Sequence, residues 1–185
     1  KNKEKTPVAK VEAPAPVNIK GLLPQACGSE KNYKRALAKI AELHPVYQPY
    51  AIKLINMGYQ KLGICWTITD GYRSPAAQGK LSSGVTGAGP LQSYHQYGLA
   101  IDIVSVRDGE ITYLSSDSQS VEDSKKLRSV GESLGLVWGG HFKRKDGKPK
   151  PDYPHFELHP NGKTWRDLKP QLLKIGVSNY KKLTF

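Results

Sequence analysis

The chain has 185 residues, of which 38% are hydrophobic and 24% charged, and it carries a net charge of +12. That length forms one ordinary domain with its own core, and no apolar run approaches the ~20 residues that a membrane-spanning helix needs. The positive excess favours a polyanionic partner, either nucleic acid or an anionic cell envelope with phosphate or carboxylate polymers, and no helix-turn-helix, zinc-finger or RNA-recognition pattern supports nucleic acid.

The opening stretch KNKEKTPVAKVEAPAPVNIK holds five Lys against two Glu and no aromatic residue. Such a segment cannot bury enough apolar surface to offset its ordering entropy, so residues 1–20 are expected to form a flexible spacer and residues 21–185 the folded domain. Because the chain begins at Lys1 and not at Met, the expectation is a processed or truncated form whose Pro-containing spacer stands the domain off an upstream membrane anchor. Cys27 and Cys65 form no Cys-x-x-Cys unit, which leaves one disulfide or two buried thiols. A bridge pinning the N-terminal segment to the sheet is the expectation, and it suits an oxidising compartment.

From Tyr33 to Gly58 apolar residues recur at helical spacing: Leu37, Ile40 and Ala41, then Tyr50, Ile52, Leu54 and Ile55. The break at His44-Pro45 divides them into two helices. ICWTITDGY reads as a strand ending in a turn, RSPAAQGKL as a short helix or loop, and SSGVTGAGP as a mobile Gly-rich loop. Gly98 to Val104 reads as a strand buried on both faces, followed by a turn at Arg107-Asp108-Gly109 and a short strand at ITYL. SVEDSKKLRSVGESLGL predicts a helix stopping at Gly135, and VWGGHF and HFELHP read as late strands around the charged, solvated loop KRKDGKPKPDYP. The fold class expected is α+β: a small single domain with a largely antiparallel sheet and flanking helices, without internal repeats.

Within this pattern Asp102 is out of place. A carboxylate buried in an apolar strand costs several kcal/mol unless a cation or a set of donors compensates it. No basic residue lies in the strand, but His95 precedes it by seven positions with Gly98 between, and His155 lies on a later strand. Two His and one carboxylate suit zinc with a fourth position left for water. A lone His-Asp pair is more often structural, so the surrounding segments decide the matter.

Those segments read Ser93-x-His95-x-x-Gly98-x-Ala100-x-Asp102 and Asp152-x-x-His155. Together they resemble the signature of the M15 zinc peptidases, the D-Ala-D-Ala carboxypeptidase and dipeptidase family with its endolysin relatives. GYRSPAAQ at 71–78 and VWGG at 137–140 resemble further segments of that family, in order. The resemblance implies the fold shared with lysostaphin-type peptidases and the hedgehog signalling domain, and that last relative shows that a zinc site on this scaffold does not prove catalysis.

By resemblance, His95, Asp102 and His155 are the zinc ligands. Asp152 is the general base and later general acid; its being Asp, where the D-Ala-D-Ala branch has Glu, resembles the L-alanyl-D-glutamate endopeptidase branch. Arg73 is expected to stabilise charge on the scissile carbonyl oxygen or to hold a substrate carboxylate, and Gln78 and Ser93 to bind substrate. Glu157 is the rival base, because on a regular strand it shares the face of His155. His159 also shares that face, but at the end of the strand a surface role is expected. His141 stands where many endopeptidase relatives carry an acidic residue, and as a fourth ligand it would take the position of the water.

The reading is therefore a zinc-dependent peptidase cutting the peptidoglycan stem peptide at the L-alanyl-D-glutamate bond. The alternatives are a D,D-carboxypeptidase and a noncatalytic, zinc-containing wall-binding module. A monomer in the cell envelope is expected, periplasmic or extracytoplasmic and tethered, or else a phage endolysin reaching the wall during lysis.

Overall fold

The computed structural model describes residues 21–23, 29–81, 88–112 and 118–185. The spacer assigned to residues 1–20, Cys27, most of the Gly-rich loop and the end of ITYL lie outside the described residues.

Two helices open the domain. α1 (Glu30–Glu42) starts where the Ser29 hydroxyl accepts from the Asn32 amide, and it buries Asn32, Ala36 and Ile40, one stripe at helical spacing. The chain breaks at buried His44, whose amide donates to the Gly98 carbonyl at 2.9 Å, and restarts as α2 (Gln48–Leu62) with Pro49 in its first turn. Gly63 ends α2 in the left-handed conformation.

The strands are β1 (Cys65–Asp70), β2 (Ala100–Arg107), β3 (Glu110–Ile111), β4 (Val137–Trp138) and β5 (His155–Glu157). They form one sheet in the order β1-β2-β5-β4, with β3 also paired to β2 and every pairing antiparallel. β2 is the central strand, and its Ile101 and Ile103 are fully buried, as the apolar run predicts. α3 (Pro75–Gly79) is the short helix after β1, and α4 (Ser118–Ser133) packs over the sheet through Leu127, Val130 and Gly131. A side chain at Gly131 would overlap the ring of Phe156, so glycine there lets the helix lie on β5.

The late strands are shorter than predicted. VWGGHF gives only two residues of strand before a tight turn over Gly139–His141, and HFELHP contributes His155–Glu157. The charged loop is exposed, as expected, and folds as a hairpin with Lys143 bridged to Pro149. A last helix, α5 (Trp165–Ile175), buries Leu168 and Leu172 and was not foreseen, because Pro170 inside it argues against a helix. Its start carries a reciprocal cap: Thr164 and Asp167 satisfy each other's side chain and backbone.

Cys65 is disulfide-bonded. Cys27, the other cysteine in the sequence, lies outside the described residues.

Candidate active site

Sheet register assembles the site. Asp102 stands directly opposite His155 on β5 and opposite Asp70 on β1, where a bulge follows Ile68. His95 reaches the same point from the tight turn Tyr94–Tyr97, whose start is capped by Ser93 and whose end is Gly98 at φ 66°. A side chain at Gly98 would lie 2.6 Å from the His44 amide, so both its conformation and its closeness to that backbone call for glycine.

Three acceptor atoms converge. His95 Nε2 lies 3.2 Å from His155 Nδ1 and 3.3 Å from Asp102 Oδ1, and His155 Nδ1 lies 3.2 Å from that same oxygen. The outer nitrogens fix the tautomers. His95 Nδ1 donates to the Gly71 carbonyl at 2.7 Å, and His155 Nε2 donates to Glu157 Oε2 at 2.7 Å. Each neutral ring therefore aims a lone pair inward, next to a carboxylate oxygen. A tetrahedral cation with ligands at about 2.0–2.1 Å would space them about 3.3–3.4 Å apart, so the triangle fits such an ion.

The local electrostatics point the same way. Burial opposes the Asp102 charge, but the His95 and His155 imidazoles outweigh it and hold that carboxyl far below the ordinary range. Burial likewise opposes a charged His155, yet the Asp102 and Glu157 carboxylates raise it to about 10, so the surroundings of the triangle favour positive charge. Asp102 itself is less buried than its strand suggested: its side chain is 20% exposed.

A family profile described as D-alanyl-D-alanine carboxypeptidase matches residues 86–158. Over 133 residues the chain is 34% identical to the peptidoglycan L-alanyl-D-glutamate endopeptidase CwlK of Bacillus subtilis (strain 168), covering 65% of this chain and 76% of that protein. The chain belongs to the M15 peptidase family. In fold it also matches the crystal structure of the Serratia marcescens L-Ala D-Glu endopeptidase ChiX, with a TM-score of 0.51 at 20% identity over 81% of this chain and all of that one.

In this M15 domain Asp152 sits on the turn entering β5. The turn is pinned three ways: the Asp152 amide donates to the Gly139 carbonyl at 2.9 Å, and the Tyr153 carbonyl accepts from the Trp138 indole at 2.8 Å and from the Ser124 hydroxyl. A side chain at Gly139 would lie 2.5 Å from the Asp152 carbonyl and 2.8 Å from His155 Cβ, which explains the glycine of VWGG. Desolvation by the surrounding protein and then the charge of Asp102 push the Asp152 carboxyl up, against the pull of His155, His95 and Arg73.

Arg73 is fixed by Asp70, a residue that sequence reasoning missed. Its Nε donates to Asp70 Oδ2 at 3.0 Å, its Nη2 bonds the same oxygen, and its Nη1 donates to Gln78 Oε1 at 2.8 Å. Asp70 and Asp102 are like charges directly opposite on neighbouring strands, and Arg73, with Nη2 3.9 Å from Asp102, offsets their repulsion. An acid three residues before the arginine, at the end of a strand, was the available signal.

The other candidates surround this pair. Gln78 is 1% exposed; its side-chain oxygen accepts from Arg73 and its amide donates to the Ala88 carbonyl. Half-buried Ser93 accepts from the His95 amide through its hydroxyl oxygen. Glu157 is 7% exposed and faces the outer nitrogen of His155 at one oxygen and His159 Nε2 at 2.7 Å with the other; it orients the imidazole and does not face the converging atoms. His159 is no simple surface residue, since its ring stacks on Tyr94 at 4.4 Å. His141 turns toward Glu132 at 3.6 Å and stands outside the converging triangle.

Proposed function

We propose that this chain is a zinc-dependent peptidoglycan peptidase that hydrolyses the L-alanyl-D-glutamate bond of the stem peptide, working in the cell envelope. The observation that carries the reading is the triangle of three inward acceptors, 3.2 to 3.3 Å on a side, with Asp152 and Arg73 beside it. The 34% identity to the L-alanyl-D-glutamate endopeptidase CwlK favours this bond.

His95, Asp102 and His155 would hold the zinc, which when bound supplies Lewis-acid chemistry that lowers the cost of negative charge developing on oxygen. The carboxylate of Asp152 takes the proton of the attacking water and returns it to the leaving amine, and its upward shift brings it nearer to neutral operating pH. Three of the five Arg73 N–H groups are engaged by Asp70 and Gln78, leaving two for an oxygen of the substrate. Because D-glutamate continues the stem through its γ-carboxyl, its free α-carboxylate lies one residue past the scissile bond and offers Arg73 a bidentate partner. The Asp70 carboxylate and the Gln78 amide hold the guanidinium in place before substrate arrives, which lowers the ordering cost of the reaction.

Digestion of purified peptidoglycan, with mass spectrometry of the new ends, tests the assignment. New L-alanine carboxyl and D-glutamate amino termini are expected. Release of free D-alanine with that bond intact would instead support the carboxypeptidase chemistry in the family profile's description, and an uncut polymer would support a wall-binding module.

A further inference from the structure

We propose that the hairpin from Phe142 to Lys150 is a docking arm that binds the free carboxylates of neighbouring stem peptides and so seats the domain on its polymeric substrate. The inference rests on the peptidoglycan reading above. The hairpin is built: Lys150 donates to the Phe142 carbonyl at 2.8 Å, Arg144 to the Lys148 carbonyl at 2.8 Å and Gly147 to the Arg144 carbonyl at 3.0 Å, with Gly147 at φ 80° in the turn. It concentrates Lys143, Arg144, Lys145, Lys148 and Lys150 around a single acid, Asp146. That acid is engaged in the turn itself, accepting from the Lys148 amide at 3.0 Å, and its ion pair with Lys148 is stretched to 4.0 Å.

A folded segment that gathers five cations against one carboxylate is self-repulsive, and an external polyanion relieves that repulsion. Position says which one. The hairpin rises from the rim of the site: the Phe142 ring lies 5.4 Å from that of His155, and Asp152 follows Lys150 by two residues. Substrate threaded past Asp152 belongs to a mesh in which every stem bears free carboxylates, repeated along the polymer. Exposed Lys143, Arg144, Lys145 and Lys148 therefore meet several anions at once, and weak single contacts add.

The test compares the wild-type chain with the variant Lys143→Ser/Arg144→Ser/Lys145→Ser/Lys148→Ser, which leaves the backbone bonds and every residue of the site intact. Sedimentation with purified sacculi should show the variant binding about tenfold more weakly at low salt. At ~1 M salt, where the screening length is about 3 Å, the difference should vanish. On a soluble L-Ala-γ-D-Glu tripeptide, kcat/KM should be the same for both. Equal binding of both proteins at low salt overturns the arm, as does undiminished wild-type binding to sacculi whose carboxylates have been amidated. A difference abolished only by stripping phosphodiester polymers with hydrofluoric acid overturns the carboxylate partner. If wild type fails to cut the soluble peptide, the endopeptidase reading falls, while the binding arms still decide the docking surface.

Discussion

Two carboxylates near His155 are given different tasks by their direction. Asp152 lies on the entering turn and feels Asp102, His155, His95 and Arg73, whereas Glu157 accepts the proton on the outer nitrogen of His155. Replacing Asp152 by Ala should leave metal content near one ion per chain and cut the rate on the order of 10²-fold. Replacing Glu157 by Gln removes the charge that holds the imidazole and should weaken metal affinity about 10–100-fold in a chelator competition. If Glu157→Gln keeps full affinity but is inactive while Asp152→Ala still turns over, the two roles are reversed. Burial disfavours a charged Glu157, but His155 and His159 bring it down to about 2, so it is ionised at every pH where the enzyme would work.

At the scale of elements, β2, β5 and two turns carry the chemistry, and their close approaches depend on glycine. Gly139 lets the segment after β4 press against the Asp152–His155 turn, where a β-carbon would strike backbone at 2.5 Å. Gly139→Ala should therefore shift base and ligand together and lower kcat/KM on the order of 10²-fold, with the far-UV circular dichroism unchanged. Normal activity in that variant would mean that the turn tolerates displacement. The α1 stripe could be seen from periodicity, although the buried positions are Asn32, Ala36 and Ile40 and the predicted Leu37 and Ala41 are only half-buried. A one-position error in the face of a helix moves no catalytic atom, but a one-residue slip between β2 and β5 would take His155 to the opposite face from Asp102.

Across the whole molecule, one ion pair anchors the end of the central strand to α4 beyond the site. Arg107 donates to both oxygens of Asp123 at 2.7 Å, and Gln119 donates to Asp123 Oδ1 at 2.9 Å. Burial opposes the Asp123 charge, but these donors hold its carboxyl below the ordinary value. A depressed carboxyl contributes stability that is present above its unfolded pKa of about 3.9 and is lost as pH falls through the lower folded value. Melting temperature measured against pH should therefore fall less steeply on the acid side for Asp123→Asn than for wild type. An unchanged acid limb would show that other carboxylates govern it.

Sequence alone determined which residue types were available and most of the element pattern: two helices broken at His44-Pro45, a buried central strand, and a carboxylate in it that needed a cation. Resemblance to a known family then supplied the ligand set, because His95 and His155 are sixty positions apart and no local period links them. Only the tertiary structure decided what depends on register and direction. It turned Glu157 to the back of His155, lent Gln78 to Arg73, tied Arg73 to Asp70, and folded KRKDGKPK into a hairpin at the rim of the site. The physical reason is the range of the forces involved. Periodicity and turn chemistry act over a few residues, so sequence carries them openly. Where a polar side chain points is fixed by which distant donor or acceptor reaches it first, and that follows from the packing of β1, β2 and β5 into one sheet.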